Sequence, residues 1–160
     1  MSQMSQKNFY TVRGYQLLNE KKCLLTSSME DYLEMIYRVC LEQGFIRINE
    51  LASRLNVRPS STTKIVQKLE RLEYVNYEKY GVIRLTEGGK QIGEFLLKRH
   101  MILENFLDKI GVKDTLKDTE MMEHDISENA LKNIHILNRF FADNPDIFNI
   151  FENYRKRFTE

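Results

Sequence analysis

The stretch FIRINELASRLNVRPSSTTKIVQKLERLEYV, residues 45–75, decides the fold. Its apolar residues fall into two helical stripes separated by a short break. Leu51 and Leu55 form the inner face of a short helix, with Asn49 placed as its cap. Thr62, Ile65, Val66, Leu69 and Leu72 form the inner face of a second. Between them Asn56, Val57 and Arg58 make a tight connection. Pro59 suits the first helical position, where a missing N–H costs nothing. Two short helices joined by a three-residue turn are the helix-turn-helix pattern. The second helix leaves Ser60, Ser61, Thr63, Lys64, Gln67 and Lys68 facing outward, a small, hydroxylic, amide-bearing and basic surface.

The flanks extend this reading. Downstream, YVNYEKYGVIRLT (residues 74–86) predicts two strands about a turn at Tyr80-Gly81, and a hairpin after a helix-turn-helix is a wing. Lys79 and Arg84 flank Tyr80 there. Upstream, TSSMEDYLEMIYRVCLEQG (residues 26–44) predicts a helix. Ser27 and Glu30 stand in capping-box spacing, Leu33, Ile36, Tyr37 and Cys40 form its apolar stripe, and Gly44 stops it. Thr86 then caps a long helix closed by Gly111. Three more helical segments follow, TLKDTEMMEHD, ENALKNIHILNRFF after Ser127, and PDIFNIFENYRKRF after Asn144. The expected fold is mainly α: an arm over residues 1–25, a winged helix-turn-helix over 26–86, and a helical region over 87–160.

Hydroxyls, an amide and a lysine on an exposed helix can donate to phosphates and base edges, and a helix N-terminus favours a phosphate. Arg58, Ser60, Ser61, Thr63, Lys64, Gln67, Lys79, Tyr80 and Arg84 are therefore candidates for contact with double-stranded DNA. Charge is unevenly spread in a chain of net charge +1. Residues 41–100 hold 11 Lys/Arg against 7 Asp/Glu, and residues 101–160 hold 8 against 12. A basic middle fits phosphate contact. An acidic end fits either cation binding or a solvated surface. No run of 18 apolar residues spans a membrane, the first residues lack the apolar core of a secretory signal, and two cysteines are too few for a disulfide framework. These features point to a cytoplasmic, reducing compartment.

The acidic end contains Glu120, Glu123 and His124, at i, i+3 and i+4 of one helix face. This is either a polar stripe or half of a metal site. Asp31 and Glu34 share a face of the first predicted helix. His100 sits near Leu96, Leu97 and Leu103 at what reads as a core edge. If these residues converge, four carboxylates and two imidazoles balance two divalent cations. Oxygen-rich ligands with imidazole and no thiolate suit Mn(II) better than Zn(II).

The segments SMEDYLEMIY, RPSSTTKIVQKLERLEYVNYEKY, KRHMILENFL and EMMEHDIS, in that order between Ser27 and Ser127, resemble the diphtheria-toxin-repressor family, and within it the manganese-transport-regulator branch. The resemblance implies metal ligands at Asp31, Glu34, His100, Glu120, Glu123 and His124. The iron-sensing branch places a methionine where Asp31 stands and a cysteine where Glu120 stands, and an ancillary-site histidine where this chain has Leu116. The resemblance further implies a homodimer with a C-terminal helical dimerisation region, two Mn(II) per chain, and repression of manganese-uptake genes. Two other readings stay open on the residues alone. One is a metal-independent winged-helix regulator. The other is a di-metal carboxylate enzyme, whose bundle would call for a second Glu-x-x-His pair.

Overall fold

The structure, a computed structural model, describes residues 25–158, so the arm expected over residues 1–25 lies, but for Leu25, outside the described residues. Helix α1 (Ser27–Gln43) is followed by strand β1 (Ile46–Arg47) and helices α2 (Ile48–Arg54) and α3 (Pro59–Arg71). Strands β2 (Val75–Glu78) and β3 (Val82–Leu85) come next, then helices α4 (Glu87–Lys109), α5 (Thr115–Met122), α6 (Glu128–Asp143) and α7 (Pro145–Lys156). The fold is mainly helical with one small sheet, as expected.

The chain divides into two compact units that part at Lys98 and Arg99, within α4. The first half of α4 belongs with the N-terminal unit because its glycines admit close packing. A β-carbon on Gly93 would fall 2.6 Å from that of Tyr37 on α1.

In the N-terminal unit, α1, α2 and α3 pack on one another and on the sheet. Leu33, Ile36, Ile46, Leu51, Val66, Leu69 and Ile83 are fully buried. Each such side chain contributes roughly 1.5–3 kcal/mol on leaving water. Three local expectations need correcting. Thr26, not Ser27, caps α1, its hydroxyl accepting from Met29 N at 3.3 Å. The short helix begins at Ile48 with Arg47 before it, so Asn49 is an exposed residue of the first turn and not a cap. Leu55, Ile65 and Leu72 are half-buried, so the inner faces are narrower than their periodicity suggests. The turn between α2 and α3 needs a left-handed residue, and Asn56 supplies it at φ 53°.

The sheet has three strands in the order β1-β3-β2, all antiparallel. In the wing Asn76 faces Arg84 and Tyr77 faces Ile83. Strand β1 pairs Ile46 with Ile83 and Arg47 with Val82. Two residues cannot display a period-two pattern, which is why this strand was not expected. At the wing tip a short 3-10 turn, Lys79–Gly81, holds Tyr80 at φ 63° and Gly81 at φ 74°.

In the C-terminal unit Leu103, Leu107 and Leu131 are buried, and Asn138 on α6 donates to the Ile102 carbonyl at 2.9 Å. Phe141, Phe148 and Phe151 cluster between α6 and α7 with ring centroids 5.3–6.3 Å apart. Asp114 caps α5, accepting from Lys117 N, and Ser127 caps α6, accepting from Ala130 N. Helix α5 ends at Met122, earlier than the predicted segment, with Glu123 as its C-cap. No described helix is long and apolar enough to cross a membrane.

Candidate metal centre and nucleic-acid interface

Helix α3 turns Thr62, Val66 and Leu69 inward. It thereby exposes Ser60, Ser61, Lys64, Gln67 and Lys68, with Arg58 exposed at its N-cap. Its first turn holds no acidic side chain, and Arg58 makes no side-chain capping bond. The positive end of the helix is thus left open to an anion. Thr63 is half-buried, its hydroxyl donating to the Pro59 carbonyl at 3.0 Å. The donated proton is spent on the backbone, but the oxygen can still accept.

At the wing, Lys79 is exposed and Tyr80 is 90% exposed. A bulky residue in the left-handed region costs of order 1–3 kcal/mol. A large aromatic ring held there, almost wholly in solvent, has no folding role to offset that cost. Arg84 sits differently. It lies on β3 away from the tip, 3.3 Å from Glu78 Oε1 and 3.4 Å from the Gly44 carbonyl, with its guanidinium 5.3 Å from the Phe45 ring centre.

The candidate metal-binding carboxylates of the N-terminal unit lie on α1. Asp31 is exposed and Glu34 is buried, 7% exposed. Glu34 Oε1 accepts from Arg38 Nε at 3.0 Å and from Nη2 at 2.5 Å. Arg38 was not singled out from the sequence, although Glu-x-x-x-Arg is a helical ion-pair spacing. Cys40, which its spacing places in the apolar stripe of α1, is half-buried, and that burial pushes its pKa up. A thiol held protonated is a poor metal ligand.

In the C-terminal unit α4 carries His100 and the end of α5 carries Glu123, both buried, at 5% and 3% exposure. His100 Nδ1 lies 3.0 Å from Glu123 Oε2. The other carboxylate oxygen, Oε1, lies 3.9 Å from His124 Nε2. Glu123 thus stands between two imidazoles with one oxygen towards each. Its backbone N–H still donates to the Thr119 carbonyl at 2.9 Å, so the helical spacing runs on to this residue past the end of α5. Burial separates the expected stripe. Glu120 is exposed, Glu123 is buried and His124 is half-buried. A buried carboxylate is costly unless charge and hydrogen bonds meet it. Carboxylate and imidazole donors without thiolate fit a hard or borderline divalent cation.

Residues 24–83 match the iron-dependent repressor N-terminal DNA-binding domain, and residues 86–152 match the metal-binding and dimerisation domain of the same repressors. The chain belongs to the iron-dependent repressor family. Within it, curated relatives of the MntR branch match most of the chain. The HTH-type transcriptional regulator MntR of Shouchella clausii is 44% identical over 134 residues, covering 82% of this chain and 94% of that protein. The MntR of Oceanobacillus iheyensis is 47% identical over 120 residues, covering 74% and 82%. Among solved structures, IdeR of T. acidophilum aligns with a TM-score of 0.61 at 25% identity over 69% of this chain. That match spans about half of the IdeR chain, 53%. The matched spans of the repressor family contain every candidate residue named above except Arg84, which falls between the two domains.

Proposed function

We propose that this chain is a Mn(II)-responsive, DNA-binding transcriptional regulator, acting as a cytoplasmic homodimer that represses manganese-uptake genes when metal is bound. The observation that carries the metal half of this reading is Glu123, a buried carboxylate whose two oxygens face two different imidazoles. A carboxylate so placed can bridge two cations. His100, Glu123 and His124, with Glu120, would hold the metal from the C-terminal unit. Asp31 and Glu34 complete the set from the N-terminal unit, on the residue-by-residue resemblance to the manganese branch. Two Mn(II) per chain would supply the positive charge that four carboxylates call for.

Ligands drawn from both units restrict how those units can be oriented. In a two-fold dimer this sets the separation of the two α3 helices, and so their fit to operator half-sites. Metal affinity and DNA affinity are then coupled, and the coupling is reciprocal. Arg58, Ser60, Ser61, Thr63, Lys64 and Gln67 would contact DNA along α3, and Lys79, Tyr80 and Arg84 along the wing. The test is operator binding measured against Mn(II), Fe(II), Zn(II) and no metal. Affinity indifferent to metal would favour a metal-independent winged-helix regulator. Oxidase turnover by the metal-loaded chain would favour a di-metal carboxylate enzyme.

Two further outcomes are expected. Lys64→Ala and Gln67→Ala each weaken operator binding by roughly 1–3 kcal/mol, the worth of a base contact, and leave Mn(II) affinity unchanged. Wild-type operator affinity in both variants would remove α3 from the interface. Asp31→Met combined with Glu120→Cys exchanges hard oxygen donors for soft sulfur. Activation of DNA binding should then shift from Mn(II) towards Fe(II) or softer ions. Anaerobic titrations of both proteins across the three metals would check this. An unchanged ranking would show that these positions do not set metal choice.

A further inference from the structure

Glu34 and Arg38 lie one turn apart on α1, and their ion pair is asymmetric. The carboxylate end is 9% exposed and the guanidinium end is 39% exposed. Arg38 spends two donors, Nε at 3.0 Å and Nη2 at 2.5 Å, on the single oxygen Oε1. A buried carboxylate needs a cation, and in the metal-free chain Arg38 meets that need. Arginine itself cannot become a metal ligand, because it offers donors only and does not lose its proton.

We infer that Arg38 is a built-in competitor for metal at Glu34, and that it sets the metal concentration at which the regulator responds. This rests on the reading of Glu34 as a ligand. A divalent cation and the guanidinium draw on the same carboxylate charge, and they repel each other at the distance of a shared carboxylate even when the cation takes the other oxygen, Oε2. Metal binding through Glu34 therefore favours breaking the Arg38 pair. The geometry lets that happen at modest cost. The guanidinium already reaches solvent, so it can swing out and be hydrated without leaving a buried charge unpaired. Glu123 differs, because its partner His100 is itself a candidate ligand and no foreign cation has to leave.

Removing Arg38 should tighten metal binding, which is opposite to the effect of removing a ligand or a residue that aims one. In Arg38→Met an unbranched apolar side chain keeps helix propensity and stem packing while removing the charge. Calorimetry and Mn(II) spin-resonance titration of the DNA-free protein should show one Mn(II) equilibrium tightened by about 1.5-fold to fivefold, the scale of a partly exposed ion pair. Arg38→Lys, which keeps the charge but not the fork, should lie between this variant and wild type. Arg38→Gln provides a second neutral variant should the first fold poorly. Affinity unchanged or weakened in the neutral variants would overturn the proposal, a weakening meaning that Arg38 orients Glu34 for metal. Glu34→Gln separates the two readings. Loss of Mn(II) affinity there, with no gain in Arg38→Met, sinks the competitor alone. Wild-type affinity in Glu34→Gln removes Glu34 from the ligand set, and the competitor with it.

Discussion

Glu123→Ala is expected to bring operator affinity in saturating Mn(II) down to that of the metal-free protein. The whole coupling between metal and DNA would be lost, roughly five- to 150-fold for a typical allosteric pair. The reason is position. Glu123 is the buried carboxylate placed between His100 and His124, so its removal takes an oxygen from the neighbourhood of each imidazole at once. The helices retain their own apolar cores, with Leu103, Leu107 and Leu131 still buried, so the variant should fold. It also removes the Glu123 carboxylate from His100 Nδ1, and losing that buried hydrogen bond costs about 1–3 kcal/mol. Glu123→Gln keeps a hydrogen-bonding partner for that nitrogen while removing the charge. It should lose metal response with less loss of stability. Mn(II) titration, DNA binding and unfolding of the metal-free proteins separate these effects. Two Mn(II) bound with wild-type affinity in both variants would refute the role given to Glu123.

The N-terminal unit was legible because its helices are amphipathic and its punctuation is local. Pro59 opens α3, Asn56 makes the turn, and Tyr80-Gly81 makes the wing. Each acts through its own backbone preference, which a single sequence displays. What could not be read was set by partners distant in the chain. Strand β1 exists because Ile46 and Arg47 find β3, and two residues carry no pattern of their own. The cap of α1 fell one residue earlier than expected, because Thr26 and Ser27 are chemically equivalent cap residues and only geometry chooses between them.

The candidate site divides in the same way. Spacing put Glu120, Glu123 and His124 on one helix face, but spacing carries no depth. Burial distinguishes Glu123 from the exposed Glu120. Arg38 carries no such signal in the sequence, because an i,i+4 Glu-Arg pair usually marks a solvated surface. Here its acidic partner is buried, and the pair acquires a different meaning.

The two adjacent glycines at the start of α4 look equivalent in the sequence, and they should respond to substitution with opposite signs. Gly88→Ala is expected to stabilise the metal-free protein by a few tenths to about 1 kcal/mol. Alanine is the better helix former, and a β-carbon at this position meets nothing nearer than 3.8 Å. Gly89→Ala is expected to destabilise it by about 3 kcal/mol or more. There a β-carbon would fall on the Tyr74 carbonyl, with the Tyr74 carbonyl carbon 2.9 Å away and Leu85 Cδ2 3.1 Å away. The obstacle is backbone, and that backbone is held on several sides. Tyr74 N donates to the Leu69 carbonyl at 3.0 Å, and Tyr74 O accepts from Thr86 N at 3.0 Å. Tyr74 is 2% exposed, and the neighbouring Val75 is in register with Leu85. Thr86 adds a further tie, accepting from Gly89 N at 3.0 Å and donating to the Glu73 carbonyl at 2.6 Å. Relief requires α4 to move off β2, which breaks the junction joining wing and linker helix. Urea and thermal unfolding of the two variants would show the split, with a midpoint roughly 6–12 °C lower for Gly89→Ala at the 2–4 °C per kcal/mol of a protein this size. Equal stability of the two variants would mean that α4 does not approach the wing this closely in solution. Operator binding would then have to tolerate a looser wing than the close packing of Gly89 on Tyr74 allows.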